Sequence, residues 1–292
     1  MSNKTENSQD YLNLSTNTRE VAVARDTAES YMEHLFEVPG YFSRLDAELF
    51  AHCCREQHDL GVEGDLLEIG VWYGRSAVLL GFLKFGSEQL HVNDLFGQLP
   101  KTETGRSELE QAGPIKLPTT DDFLGHYLRY HDSNPVIHRG PSTEVRDDLA
   151  KGTYRFIHID GSHTQEAVAH DIKLARELLK EGGIIVFDDY SNTDHLGVAA
   201  ALWPALAESD IAPFAATPSK LYATLGLQQA GEYRQDLLSW ANQHDLLVRE
   251  QTVNNSKLLS LRTKFNRVNW IANRIKRSLP NRLRRMVAAE RF

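Results

Sequence analysis

Two short segments carry the side chains best suited to chemistry. One is Phe156-Ile157-His158-Ile159-Asp160-Gly161-Ser162-His163 and the other is Ile184-Ile185-Val186-Phe187-Asp188-Asp189-Tyr190. Each runs from an apolar, strand-like stretch directly into acids. Asp160 at a strand end, with His163 three residues later, puts a carboxylate and an imidazole in one mouth. Two consecutive acids after a buried strand are costly unless a cation compensates them. If the two strands are neighbours, Asp160, Asp188 and Asp189 converge on a hard divalent metal, which prefers oxygen ligands. His163 is then the acid–base group, because imidazole titrates near neutrality. The alternative is that one acid of each segment caps a helix while the others are solvated. His158, His91 and His138 lie within strands and read as packed residues or as supports of the site.

A third segment is Glu68-Ile69-Gly70-Val71-Trp72-Tyr73-Gly74-Arg75-Ser76. It joins a strand to a helix whose N-terminus offers free N–H groups. Gly70 and Gly74 permit a tight turn and close approach to a ligand. The spacing is G-x-x-x-G and not the G-x-G-x-x-G of nicotinamide-binding folds. Asp94 follows Gly74 by 20 residues, at the end of the next strand. An acid there can accept both hydroxyls of an adenosyl ribose, or it can cap a helix. Trp72 and Tyr73 flank the loop, where they either pack or contact a ligand.

These segments need a sheet to align them. Strands are expected at Asp65–Ile69, Gln89–Asp94, Pro135–His138, Tyr154–Ile159, Ile184–Phe187, Phe214–Thr217 and Leu221–Leu225, the last two as an antiparallel pair. Helices are expected at Ser76–Phe85, Asp121–Tyr130 and Val198–Leu206. Val168, Ile172, Ala175 and Leu179 mark the buried face of another, ended by Gly182-Gly183. Two more helices precede the sheet in 26–60, and 97–120 reads as a long loop. The alternation implies an α/β, doubly wound, mostly parallel, seven-stranded Rossmann-like sheet with helical N- and C-terminal extensions. Ligands of such sheets bind at the carboxyl ends of the strands, where all three segments finish. The expected division is a mobile arm and helical cap in 1–60, a ligand-binding domain in 61–230 and a helical extension with a basic tail in 231–292.

The bulk composition excludes several classes. The chain has 292 residues, 41% of them hydrophobic, and a net charge of −8, which is no footprint of a nucleic-acid binder. Its two cysteines, Cys53 and Cys54, are adjacent and build neither a disulfide framework nor a metal site. The polar start MSNKTENSQD shows no secretory signal, and no run of 18 apolar residues occurs. A reducing, cytoplasmic setting is the expectation.

From about residue 64 to 206 the chain resembles class I S-adenosylmethionine-dependent methyltransferases. The acid-x-Gly-x-x-x-Gly pattern at Glu68–Gly74 is similar to their first motif. The nearer resemblance is to the metal-dependent macrolide-sugar O-methyltransferases of macrocin and mycinamicin type. Asn93-Asp94-Leu95-Phe96-Gly97-Gln98-Leu99-Pro100 is similar to that family's Asp-Ser-Phe-Glu-Gly-Leu-Pro segment. Ile159-Asp160-Gly161-Ser162-His163 resembles the motif whose Asp binds Mg²⁺ and whose His is the general base, and Asp188-Asp189 resembles the acidic metal-binding pair. The resemblance implies O-methylation of a saccharide or glycosylated natural product. It implies cofactor contacts at Glu68, Gly70, Gly74, Ser76, Asp94 and Asp160, and Mg²⁺ on Asp160, Asp188 and Asp189. Catalysis would fall to His163 with Asp160.

The C-terminus departs from the acidic body. Ten of the 32 Lys and Arg residues lie in 261–292, with a single acid, Glu290. Apolar residues interleave with them over 262–286. Such a stretch can lie on an anionic membrane surface, here the inner membrane face, or pack on the acidic body or a second subunit of a homo-oligomer. Two rival functions remain at this point. One is a metal-independent small-molecule methyltransferase of the same fold, and the other is a degenerate methyltransferase-fold binding protein tethered by its tail.

Overall fold

The computed structural model describes residues 27–111 and 116–264. The arm expected in 1–20 and nearly all of the basic tail lie outside the described residues. Of the tail, Arg262 is part of a strand.

One mixed sheet organises the chain. Its strands are β1 (Asp65–Ile69), β2 (Leu90–Asp94), β3 (Val136–Arg139), β4 (Tyr154–Ile159), β5 (Leu179–Phe187), β6 (Ile211–Ala216), β7 (Leu221–Leu225), β8 (Leu246–Val253) and β9 (Ser256–Thr263). The order is β3-β2-β1-β4-β5-β7-β6-β9-β8. β1 through β5 pair in parallel, β7 runs antiparallel to β5 and β6, and β9 pairs in parallel with β6. The doubly wound, mostly parallel sheet is as expected, with nine strands where seven were anticipated.

The helices are α1 (Ala28–Glu33), α2 (Arg44–Asp59), α3 (Arg75–Phe82), α4 (Glu103–Gln111), α5 (Thr120–Tyr127), α6 (Ser142–Val145), α7 (Gln165–Leu178), α8 (Leu196–Glu208) and α9 (Leu227–Asn242). Successive side chains of a strand point to opposite faces, and β5 shows the result. Ile184 and Val186 pack with α1, α2, α3 and α9 on one face, and Ile185 and Phe187 pack with α7 and α8 on the other. Covered on both sides, β4 and β5 can be apolar throughout. Each fully buried branched or aromatic side chain contributes roughly 1.5–3 kcal/mol.

Three expectations are corrected. The stretch 97–120 is not one loop, because α4 lies within it; only Gly105 of α4 is buried, so no apolar periodicity announces the helix. Gly182-Gly183 does not end α7, which stops at Leu178; both glycines lie inside β5, beside a register shift between Tyr154 and Phe156. The extension after 230 is helical only to Asn242 and then forms the β8–β9 hairpin. β8 is the outermost strand and most of its residues are at least partly exposed, so its charged sequence LLVREQTV hides the strand.

Hydrogen bonding continues past the strand ends and aligns the loops that follow. Asp160 N–H donates to Ile69 O at 2.7 Å, Gly70 N–H to Asn93 O at 2.8 Å, and Asp188 N–H to Ile159 O at 2.9 Å. Gly70 has φ +83°, and a Cβ there would lie 1.9 Å from the Asp160 carbonyl oxygen. The close neighbour that requires glycine is therefore the chain's own β4 loop. Gly70→Ala is expected to cost at least about 2 kcal/mol, through backbone strain plus collision with a main chain that cannot yield. Urea denaturation reads this directly; an unchanged midpoint would contradict the close approach.

Candidate active site

The first motif folds back on Asp94. Asp94 Oδ2 accepts hydrogen bonds from the N–H groups of Val71 (2.8 Å) and Trp72 (3.0 Å), and Oδ1 accepts from Phe96 N–H (2.8 Å). The carboxylate thereby ties the β1 loop to the β2 loop and stays partly exposed at the sheet edge. Glu68 and Ser76 sit behind the loop, both buried. Ser76 Oγ donates to Glu68 Oε1, and the His158 Nδ1 lies 2.7 Å from the same oxygen. Burial pushes the Glu68 pKa up to about 8 and pushes that of His158 well down, the latter helped by Lys220. The contact is therefore a hydrogen bond between neutral groups at pH 7.

Lys220 is the residue that sequence reading missed most seriously. It precedes β7, and because Leu221 pairs with Phe187, the antiparallel register sets it opposite Asp188. Its ammonium is fully buried, 2.8 Å from Asp188 Oδ2 and 2.9 Å from His158 Nε2. Burial opposes that charge, but Asp188 and Asp160 outweigh it and hold the lysine pKa above its usual value. Since Lys220 donates to Nε2, His158 carries its proton on Nδ1 and donates to Glu68. The turn before Lys220 is held from α2. Asp46, buried, accepts from Thr217 Oγ1 (2.8 Å), Ser219 Oγ (3.2 Å) and Tyr222 OH (2.9 Å).

The acids expected to converge form two groups among the described residues. Ligand atoms of His158, Asp160 and Asp188 lie within 4.8 Å of one another. So do those of His163, Asp189 and His195. In the first group, burial and the neighbouring Asp188 carboxylate push the Asp160 pKa well up. Asp188 Oδ1 is buried without a partner. Two carboxylates thus face one ammonium, and the orphaned oxygen is a hard donor, so these residues fit a small divalent cation.

In the second group His163 lies between two carboxylates. Its Nδ1 is 2.8 Å from Glu108 Oε1 and its Nε2 is 3.3 Å from Asp189 Oδ2. Burial works against its charge, but the bonds to Asp189 and Glu108 outweigh burial and push its pKa up to about 10. His195 stacks on the His163 ring at 3.6 Å and 11°, with its own Nδ1 2.6 Å from Asp189 Oδ2. Gly197 permits this, since a Cβ there would meet the His163 carbonyl oxygen at 2.3 Å. Glu108 and His195 also escaped sequence reading. His195 follows Asp189 by six residues, a spacing that offered a signal; Glu108 lies in a polar helix and offered none. A small pocket lined by Ile159, Asp160, His163, Phe187, Asp188 and Val198 opens between the two groups.

Residues 67–190 match a family model described as a methyltransferase domain. This segment is thus similar to a methyltransferase domain, in a match that covers less than half of the chain. The chain is 26% identical over 126 residues to the "uncharacterized protein R132" of Acanthamoeba polyphaga mimivirus, a match covering 43% of this chain and 51% of that protein. It thus spans about half the length of that relative. Among solved structures it is similar in fold to the O-methyltransferase NovP, with TM-score 0.54 and 17% identity, covering 61% of this chain and 78% of that one. A similarity to the calicheamicin methyltransferase CalS11 has TM-score 0.45 and 18% identity, over 76% of this chain and 98% of that one. The matched segment contains Glu68, Gly70, Gly74, Ser76, Asp94, Asp160, His163, Asp188 and Asp189, whereas Lys220 and His195 come from beyond it.

Lys220→Met removes one member of a buried charge pair and leaves Asp188 uncompensated. It is expected to cost about 3–5 kcal/mol, read by guanidinium denaturation at pH 7. Unchanged stability would show that Asp188 does not depend on the ammonium.

Proposed function

We propose that the protein transfers a methyl group from S-adenosylmethionine to a hydroxyl of a saccharide or glycosylated natural product, assisted by a divalent ion such as Mg²⁺. The observation that carries this reading is the unpartnered Asp188 Oδ1 beside Asp160, at the same sheet edge as the Gly70–Gly74 loop and Asp94. The cofactor's ribose belongs on Asp94, and its amino-acid portion belongs in the loop between Gly70 and Gly74, which Glu68 and Ser76 support from behind. Asp160 stands where the cofactor and acceptor sites meet.

Asp160 and Asp188 would hold the ion, with Asp189 as the third carboxylate at that edge. An ion held there would lower the pKa of an acceptor hydroxyl, which is otherwise hardly ionised at neutral pH. The remaining work falls to the chain. Both ring nitrogens of His163 are engaged by carboxylates. To act as a base the ring must first release its Nε2 proton to solvent as Asp189 turns away; the lone pair so exposed then takes the acceptor's proton, while Nδ1–H stays with Glu108. The oxygen–carbon bond then forms as the carbon–sulfur bond of the cofactor breaks. Holding acceptor and sulfonium in line supplies up to about 7–11 kcal/mol of the barrier reduction.

One observation favours a second reading. Lys220 already places a cation 2.8 Å from Asp188, and a metal-independent methyltransferase could rest on that charge alone. Membrane contact through 262–286 and homo-oligomer formation remain proposals about residues mostly outside those described. No helix among the described residues is long and apolar enough to cross a membrane.

Methyl transfer from labelled cofactor to a panel of sugars, nucleotide sugars and glycosides tests both readings. EDTA is expected to abolish transfer and Mg²⁺ to restore it. Full transfer in EDTA would reject the metal and leave the second reading. His163→Ala is expected to lower kcat by roughly 10²–10⁴-fold; a normal turnover number would remove His163 from the mechanism.

A further inference from the structure

We propose that Glu108 is the positioning residue for His163, delivered to the site by α4. The inference rests on the methyl-transfer reading for its functional half and on geometry for the rest.

A single Glu108 carboxylate receives three hydrogen bonds from one loop. Oε1 accepts from the Nδ1 of His163 at 2.8 Å and from the His163 backbone N–H at 2.8 Å, and Oε2 accepts from Ser162 Oγ at 2.7 Å. Long acidic side chains on exposed helices lose rotamer freedom when fixed, so three bonds to residues 54 and 55 positions away mark a built socket.

The rest of α4 is weakly held. Gly105 is its one buried residue. Its other side-chain bonds are local: Thr102 Oγ1 accepts from Gly105 N–H, Arg106 donates to the carbonyls of Pro100 and Lys101, and Gln111 donates to Ser107 Oγ within the helix. The exposed Lys101–Glu144 ion pair lies just before it. Glu108 is therefore the contact through which the middle of the helix meets the site.

The bond to Nδ1 has a chemical consequence. Which ring nitrogen of a histidine carries the proton is set by the partner of the other. With Nδ1–H committed to Glu108, the ring presents Nε2 towards Asp189 and the pocket. The backbone bond adds orientation, because it fixes the same loop that carries Asp160.

The test uses the full chain and three forms: wild type, Glu108→Ala and Glu108→Gln. Glutamine can reproduce the arrangement, its oxygen accepting from His163 and its amide donating to Ser162 Oγ. The first readout needs neither acceptor nor metal. ¹⁵N-histidine NMR, with the His163 signals assigned by their loss in His163→Gln, is expected to show a slowly exchanging proton on Nδ1 in wild type and in Glu108→Gln, and its loss in Glu108→Ala. An unchanged His163 signal in Glu108→Ala overturns the proposal. The second readout is turnover: Glu108→Ala is expected to lose about tenfold or more in kcat, with the KM for S-adenosylmethionine and the melting temperature nearly unchanged, and Glu108→Gln to recover most of it. Wild-type kcat in Glu108→Ala, or a loss that glutamine does not rescue, also overturns it. If wild type methylates nothing in the acceptor panel while the NMR result holds, the methyl-transfer reading fails and the positioning geometry survives.

Discussion

The buried Lys220 ammonium is the contact on which the site depends. Taking carboxylates out of water costs several kcal/mol per ion even after the protein relaxes. Asp188 is 7% exposed and still has no resident solvent substitute other than Lys220 and the residues around it. The ammonium has a further consequence on its other side. By donating to His158 Nε2 it fixes that ring's tautomer and aims Nδ1–H at Glu68, whose other partner is Ser76. A continuous buried chain, Ser76–Glu68–His158–Lys220–Asp188, thereby connects the helix behind the glycine loop to the acid pair. Networks of this kind in low dielectric are rigid when satisfied and costly when broken. The chain gives the glycine loop and the acid pair a common mechanical base.

The sheet supplies that base, and the loops bear the strain. Trp72 (φ 52°), Phe96 (φ 46°) and Asp189 (φ 55°) all adopt left-handed backbone conformations, and each lies just beyond the carboxyl end of β1, β2 or β5. Each costs of order 1–3 kcal/mol. Strain of this size persists only where surroundings over-determine it. For Trp72 and Phe96 the determinant is visible, because Asp94 takes both their N–H groups. For Asp189 it is the pair of imidazoles that hold its carboxylate. These three strained positions thus follow the strands that carry the site, while a fourth, Asn254 (φ 53°), lies in the β8–β9 turn.

Legibility in the sequence followed the range of the interactions. β4 and β5 were readable because strands covered on both faces must be apolar, and the acids after them stood out against that run. The glycine spacing and Asp94 were readable because a turn and its brace lie close together in sequence. Lys220 was not, since its meaning comes from pairing with β5 across 32 positions, and PSKLYATL alone suggests only a lysine at a strand start. Glu108 lay hidden for the opposite reason: its helix packs so little that no periodicity marks it. Sequence reasoning asked for a cation beside Asp188-Asp189, and the described structure answers with a side chain as well as an orphaned oxygen.

That partial answer decides what the cluster can attract. Had the lysine been matched one-to-one with a single carboxylate, the pocket would be electrically complete and indifferent to a further cation. Had there been no lysine, two buried carboxylates would repel each other without relief and the β4–β5 edge would be hard to hold together. One ammonium against Asp160 and Asp188 leaves a residual negative charge, which either a proton or a cation can meet. Burial and Asp188 push the Asp160 pKa well up, so a proton competes for that charge. A divalent ion binding there would have to displace that proton, so its affinity would fall as pH falls. The same lysine that lets the acids be buried would therefore also compete with any second cation for their charge.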